Sequence, residues 1–254
     1  METIRMEEMN WVDIKDAIKS GFTTVVIGVG STEQHGPHLP THTDTIIGDI
    51  LANKIALKLG NALQAQTIRV GCSDHHLSFP GTISLEKDTL KAIIFDYIRS
   101  LSKHGFQKII FIPSHGGNTA AIKEAVEEIQ SDYQDINIVG YTNILKFIVY
   151  EWQIANEFGI TNEEAGAHAG EVETSQVLAI TENQVRKERF KPGYLGILGP
   201  KTEKLLYEKG ISALSEIGVV GDPTKANIEK GKVYIEKLAE KLTSDIKELL
   251  NSKK

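Results

Sequence analysis

Val25-Val26-Ile27-Gly28-Val29 runs directly into Gly30-Ser31-Thr32-Glu33-Gln34-His35-Gly36-Pro37-His38-Leu39-Pro40-Thr41-His42-Thr43-Asp44. The first five residues read as a strand buried on both faces, the kind found inside parallel sheets. Gly, Pro and His crowded beyond its carboxyl end read as a site-forming loop. Three of the chain's eight histidines, a Glu and a terminal Asp fall in that loop. Glu33 and His35 are two apart, so on an extended backbone both side chains leave on one face and can share one ion cluster. Asp44 follows a return through Pro37 and Pro40. Its two carboxylate oxygens suit it to bridge two cations, which makes it the natural third ligand.

Outward from this loop, strand-like runs recur at residues 22–29, 66–70, 108–112 and 136–141, with helix-like stretches between them. Such alternation predicts a parallel sheet with crossover helices. A helix is expected over 45–59, with Asp44 near its N-cap and Gly60 closing it. A second, over 86–103, places Leu90, Ile93, Ile94, Tyr97, Ile98 and Leu101 on one face. A third follows Asn118, and an amphipathic stretch over 224–250 reads as a long covering helix. The Gly-rich residues 187–222 read as loops forming a rim or a subunit contact. No repeat or low-complexity linker divides the chain, so one α/β domain over residues 1–254 is expected.

The composition narrows the function classes. With 254 residues, 41% hydrophobic and 24% charged, the chain is of ordinary globular type. A net charge of −6 and the lack of a basic stripe argue against nucleic acid as a partner. Cys72 is the single cysteine, which excludes an internal disulfide, and no long apolar segment suggests a membrane span or leader. A cytoplasmic protein is expected, with Cys72 a small buried hydrophobe rather than a nucleophile.

In open parallel sheets, ligands bind outside the carboxyl ends of the strands. Seven of the eight histidines fall in four short segments, at 35–42, 75–76, 115 and 168, and His104 stands apart. The first strand leads to Glu33 and His35, the second to Asp74, His75 and His76, and the third to His115-Gly116-Gly117-Asn118. Gly116, Gly117, Asn118 and His76 are the expected substrate contacts. His168-Ala169-Gly170-Glu171-Val172-Glu173 places a His and two acids at a helix start, where His168 and Glu171 can share a face. Competing motifs fail. Gly28-Val29-Gly30 begins a dinucleotide fingerprint, but Glu33 occupies its third glycine position, and neither a Walker A loop nor a G-x-S-x-G elbow is present.

Four ordered motifs then carry a resemblance: Gly30 to Pro40 with Thr43-Asp44, Phe79-Pro80-Gly81-Thr82, His115-Gly116-Gly117-Asn118, and His168-Ala169-Gly170 with Glu173-Thr174-Ser175. Together they resemble the creatininase (creatinine amidohydrolase) family. The resemblance implies a three-layer α/β/α domain with a mostly parallel sheet, usually a homohexamer, hydrolysing an amide or formamide C–N bond with two divalent metals. It implies Glu33 and His115 as ligands of one metal, His35 as a ligand of the other, Asp44 as the bridge, and His168 as a proton-handling residue. Zinc, manganese or iron suits such a donor set. Creatinine-hydrolysing members carry an aromatic residue and a ligating Glu where Gly116 and Gly117 stand, and an aromatic gate where Glu163, Glu164, Ala165 and Gly166 stand. These departures point away from creatinine and leave Glu171 or Glu173 to supply the missing carboxylate. Trp152 is a pocket-lining or a packing residue.

The expected function is metal-dependent hydrolysis of a non-peptide C–N bond in a small-molecule amide, cyclic amide or formamide. The nucleophile is a hydroxide bridging two cations; His168 and Glu171 are the catalytic residues, and Glu33, His35, Asp44, His115 and Glu173 the ligands. A formylaminopyrimidine nucleotide deformylase, a non-catalytic metal-binding protein on the same scaffold, and a flavodoxin-like sugar- or nucleotide-binding enzyme are the alternatives.

Overall fold

The computed structural model describes residues 3–252. Helix α1 (Trp11–Lys19) precedes strand β1 (Thr24–Val29), followed by α2 (Thr43–Leu59), β2 (Ala62–Gln64), α3 (Lys87–Lys103), β3 (Lys108–Pro113), α4 (Thr119–Ile129) and β4 (Asn137–Gly140). Helices α5 (Ile144–Asn156), α6 (Asn162–Ala165), α7 (Glu171–Thr181), α8 (Pro200–Lys209) and α9 (Ile228–Ser252) complete the order. The four strands form one sheet in the order β2-β1-β3-β4, every pair parallel.

Alternation along the buried strands divides the core into two layers. Val25, Ile27, Val29, Ile109 and Phe111 face one side, where Leu90, Ile94 and Ile98 of α3 and Ala121, Ile122 and Ala125 of α4 cover them. Val26, Ile110, Ile112 and Val139 face the other side and meet α2, α5, α7 and α9. The result is the expected α/β/α arrangement. Helix α9 buries Tyr234, Ile235, Leu238, Ala239, Leu242 and Ile246 against α2, α5 and α7. Full burial of a large aliphatic side chain contributes about 1.5–3 kcal/mol, so this stripe anchors the whole layer. Among the described residues, no helix is long and apolar enough to cross a membrane.

Three expectations change. The second strand is Ala62–Gln64, not 66–70, because the chain enters the sheet immediately after Gly60 ends α2 in the left-handed conformation, at φ 84°. Beyond it, Ile68 keeps only a single bridge to Val29. Asp44 does not cap α2: His42 holds the N-cap position, and the Asp44 carboxylate turns into the histidine cluster from the first turn. The Gly-rich stretch contains α8, whose Pro200 opens the helix and whose Gly210 closes it.

Candidate metal centre

The loop after β1 carries Glu33 and His35 back across the strand ends. Glu33 N–H donates to Thr41 O at 2.8 Å, and Leu39 N–H closes back on His35 O. Ser114, after β3, donates its hydroxyl to Asp44 O at 2.7 Å and so ties the start of α2 to the β3 tip. Asn118 fastens the segments together. Its amide donates to Val29 O and Gly30 O, at 3.1 and 2.9 Å, and accepts from Cys72 N–H at 2.9 Å. From the other side, His168 exchanges backbone hydrogen bonds with Val220. Ala169 follows at φ 53°, a conformation that costs a non-glycine residue of order 1–3 kcal/mol. Its N–H donates to the Glu173 carboxylate, which holds the turn in place.

The side chains converge. Asp44 Oδ1 lies 3.2 Å from His35 Nε2, and Oδ2 lies 3.6 Å from His115 Nδ1. Glu173 approaches His35 Nε2 at 3.8 Å, and Glu33 Oε2 stands 3.2 Å from His115 Nε2. Outer hydrogen bonds determine which imidazole nitrogen is available. His115 Nε2 contacts Cys72 O at 3.0 Å, so it carries the proton and leaves the Nδ1 lone pair toward Asp44. His35 Nδ1 contacts Glu33 O at 3.2 Å and leaves the Nε2 lone pair toward Asp44 and Glu173. Glu33, His35 and Asp44 are at most 2% exposed. Even so, Glu33 Oε1, His35 Nε2 and Asp44 Oδ2 have no hydrogen-bond partner among the described residues. Buried acceptors left unpaired at one point, two imidazole lone pairs facing one carboxylate, form a donor set suited to divalent metal. On this test the residues fit the metals.

The electrostatics agree. Burial pushes the Glu33 carboxyl up to about 7, with Asp44 adding to the rise and His115 and His35 opposing it. Burial alone would lower His35, but Asp44, Glu173 and Glu33 together hold it up to about 10. Burial raises Glu173 as well, and burial with the charge of His35 drives His168 well below the usual imidazole range.

The remaining candidates separate. His76 and His168 reach the cluster, with His76 Nε2 at 3.3 Å and His168 Nδ1 at 3.6 Å from Glu33 Oε1. Glu171 does not. Its fully buried carboxylate accepts from Ser175 at 2.9 Å and Tyr234 at 2.8 Å and pairs with Lys230 at 2.7 Å, so it joins α7 to α9. Asn118, expected at the substrate, has its amide engaged by main chain. A side chain at Gly117 would meet Cys72 O at 2.2 Å and His115 Nε2 at 2.5 Å, so the protein itself fills the space expected for substrate. Gly116 keeps open space, with only Ile144 within 4 Å, at 3.7 Å. Cys72 is half-buried, its thiol pushed up to about 11 by burial and by Asp74 and Glu86, which disfavours the thiolate. Trp152 donates to Gly166 O at 2.8 Å and lines a cleft of about 110 Å³ with Tyr194, Ile197 and Val220, the residue that bridges to His168. Sequence reasoning passed over Gln34, whose amide lies between His76 and His168. Its position between Glu33 and His35 was the only signal.

Comparison with known proteins places this geometry. Residues 7–246 match the profile of the creatininase (creatinine amidohydrolase) family. The chain is 32% identical to a mycofactocin precursor peptide peptidase from Mycobacterium ulcerans, over 90% of this chain and 86% of that protein. It is 30% identical to a 3-dehydro-scyllo-inosose hydrolase from Thermotoga maritima, over 96% and 84%. A crystal structure of creatinine amidohydrolase superposes with a TM-score of 0.82 at 22% identity, covering 97% of each chain, which shows a shared fold. The chain belongs to the creatininase family and is a metal-dependent C–N hydrolase of that kind.

Proposed function

We propose that this chain hydrolyses the C–N bond of an amide or formamide at two divalent cations, zinc, manganese or iron. Glu33 and His115 would hold one, His35 and Glu173 the other, and Asp44 would contribute to both. The carrying observation is the division of Asp44, one oxygen toward His35 and the other toward His115, beside buried ligand atoms without partners. When bound, such cations lower the pKa of water from about 15.7 toward about 7 and polarise a carbonyl oxygen, so no serine or cysteine nucleophile is needed. His168, kept neutral by burial, presents Nδ1 beside Glu33, where it accepts a proton and returns it to the departing nitrogen. The likeness to mycobacterial peptidases adds a second reading, in which the bond cleaved is a peptide amide. Exposed Trp11, Leu145 and Ile197 are in keeping with burial between subunits of a homohexamer.

Asp44→Ala tests this reading. The variant is expected to lose both metals by elemental analysis, together with all turnover of the zinc, manganese and iron forms on creatinine, a formylaminopyrimidine nucleotide and short peptides. Full metal content with normal turnover would refute it.

A further inference from the structure

Gln34 is 5% exposed, and its amide touches four groups. Gly36 N–H lies 2.9 Å from Oε1, and Gly218 O lies 3.2 Å from Nε2. These two contacts fix the orientation of the amide. Reversed, it would set an NH₂ against an N–H and an oxygen against a carbonyl. The correctly placed NH₂ then meets His76 Nδ1 at 3.0 Å and His168 Nε2 at 3.0 Å. His168 Nε2 also lies 2.8 Å from the main-chain oxygen of Gln34. A carbonyl can only accept, so His168 Nε2 carries a proton and its approach to the amide nitrogen is not a hydrogen bond. The two amide hydrogens therefore go to Gly218 O and His76 Nδ1. Since His76 Nδ1 accepts, the neutral ring carries its proton on Nε2.

The two rings are then opposite in function although both are protonated on Nε2. His76 directs an N–H, and His168 directs a lone pair, toward the same carboxylate oxygen, Glu33 Oε1, at 3.3 and 3.6 Å. That oxygen has no hydrogen-bond partner among the described residues, so the His76 N–H is not engaged by it. Glu33 Oε1, His76 Nε2 and His168 Nδ1 lie close enough together to suggest a third cation position. The tautomer excludes it. A protonated Nε2 has no lone pair to give, and freeing it would set the Nδ1 proton against the amide of Gln34.

We propose that Gln34 is a positioning residue that fixes His76 as an N–H donor beside the metal centre, opposite the lone pair of His168, so that the site takes a substrate whose carbonyl oxygen meets the first and whose leaving nitrogen meets the second. The space it occupies is reserved for it. Gly218 sits at φ 71°, and a side chain there would approach Gln34 Oε1 to 2.1 Å. The substrate role rests on the hydrolase reading above, whereas the tautomer assignment is independent of it.

Histidine-selective ¹⁵N labelling of the zinc-loaded protein, with long-range proton–nitrogen correlation, reads the tautomers directly. Signals are assigned with His76→Asn and His168→Asn. Wild-type His76 and His168 are both expected as neutral rings protonated on Nε2. In Gln34→Glu an acceptor replaces the NH₂, and His76 is expected to shift its proton to Nδ1 while His168, held by a main-chain oxygen, stays as it was. Zinc content should remain at two per chain in His76→Asn, with kcat lowered about 100-fold in Gln34→Glu and KM changed less than about threefold. Wild-type His76 protonated on Nδ1, or loss of one zinc in His76→Asn, overturns the assignment. Failure of the hydrolase reading looks different: no amide is turned over by the wild type, while the ring protons stand as assigned.

Discussion

Replacing Gly117 with Ala tests how tightly the first ligand of β3 is held. The added carbon would lie 2.2 Å from Cys72 O and 2.5 Å from His115 Nε2, more than 1 Å inside ordinary contact. Cys72 cannot yield easily, because Asn118 holds its N–H at 2.9 Å, so the displacement falls on the His115 ring. The ring would then lose its 3.0 Å hydrogen bond to Cys72 O, and Nδ1 would leave its place 3.6 Å from Asp44. Overpacking of this kind costs about 1–3 kcal/mol. In a chain of this size that lowers Tm by roughly 2–12 °C. A misplacement near 1 Å at a reacting centre lowers kcat/KM by about 100-fold. Calorimetry, zinc titration against a chromophoric chelator and steady-state kinetics read the three effects, with weaker zinc binding confined to one of two sites. Wild-type zinc affinity at both sites together with wild-type kcat/KM would show that His115 is not held as described.

Two further predictions concern charge. At pH 7 the metal-free centre keeps His35, raised to about 10, protonated and Glu33, raised to about 7, partly so. Both groups bind protons more tightly folded than unfolded, so the stability these two contribute to the metal-free protein is full at low pH and is lost as pH rises through about 7 for Glu33 and about 10 for His35. Metal-free Tm should therefore drop between pH 6 and 9.5 while the loaded protein changes less, and zinc uptake at pH 7 should expel about one proton or more, measured calorimetrically in buffers of different ionisation heat. A buffer-independent heat contradicts this. Lys230→Met strands the buried Glu171 carboxylate, a loss of about 3–5 kcal/mol that Lys230→Met with Glu171→Gln should largely restore. A single-variant Tm within 1 °C of wild type would remove Glu171–Lys230 as the link between α7 and α9.

Some of this was legible in the sequence and some was not, for physical reasons. The β1 run and the α3 stripe were readable because apolar periodicity reports burial directly, and Leu90, Ile94, Ile98 and Leu101 are indeed buried. β2 was misplaced because three residues carry little periodicity, whereas Thr67, Ile68 and Val70 advertise a strand that the sheet does not extend. Helices α1, α5, α6 and α8 carried no sequence expectation. At the site, Glu171 and Glu173 looked interchangeable, yet residues two apart on a helix point about 200° from each other, so only one can face the histidines. Gln34 was missed because it leaves the loop opposite Glu33 and His35, and its partners lie 42, 134 and 184 residues away.

The amide of Asn118 gives the centre a property the ligands alone would not supply. It joins the tip of β1, the Gly30 turn and the Cys72 segment through main-chain atoms, and Cys72 in turn holds the His115 ring. The spacing between Glu33 and His115 is thereby built into the scaffold before any cation arrives. On the metal-dependent reading proposed above, exchanging one divalent ion for another would need no rebuilding of the loops.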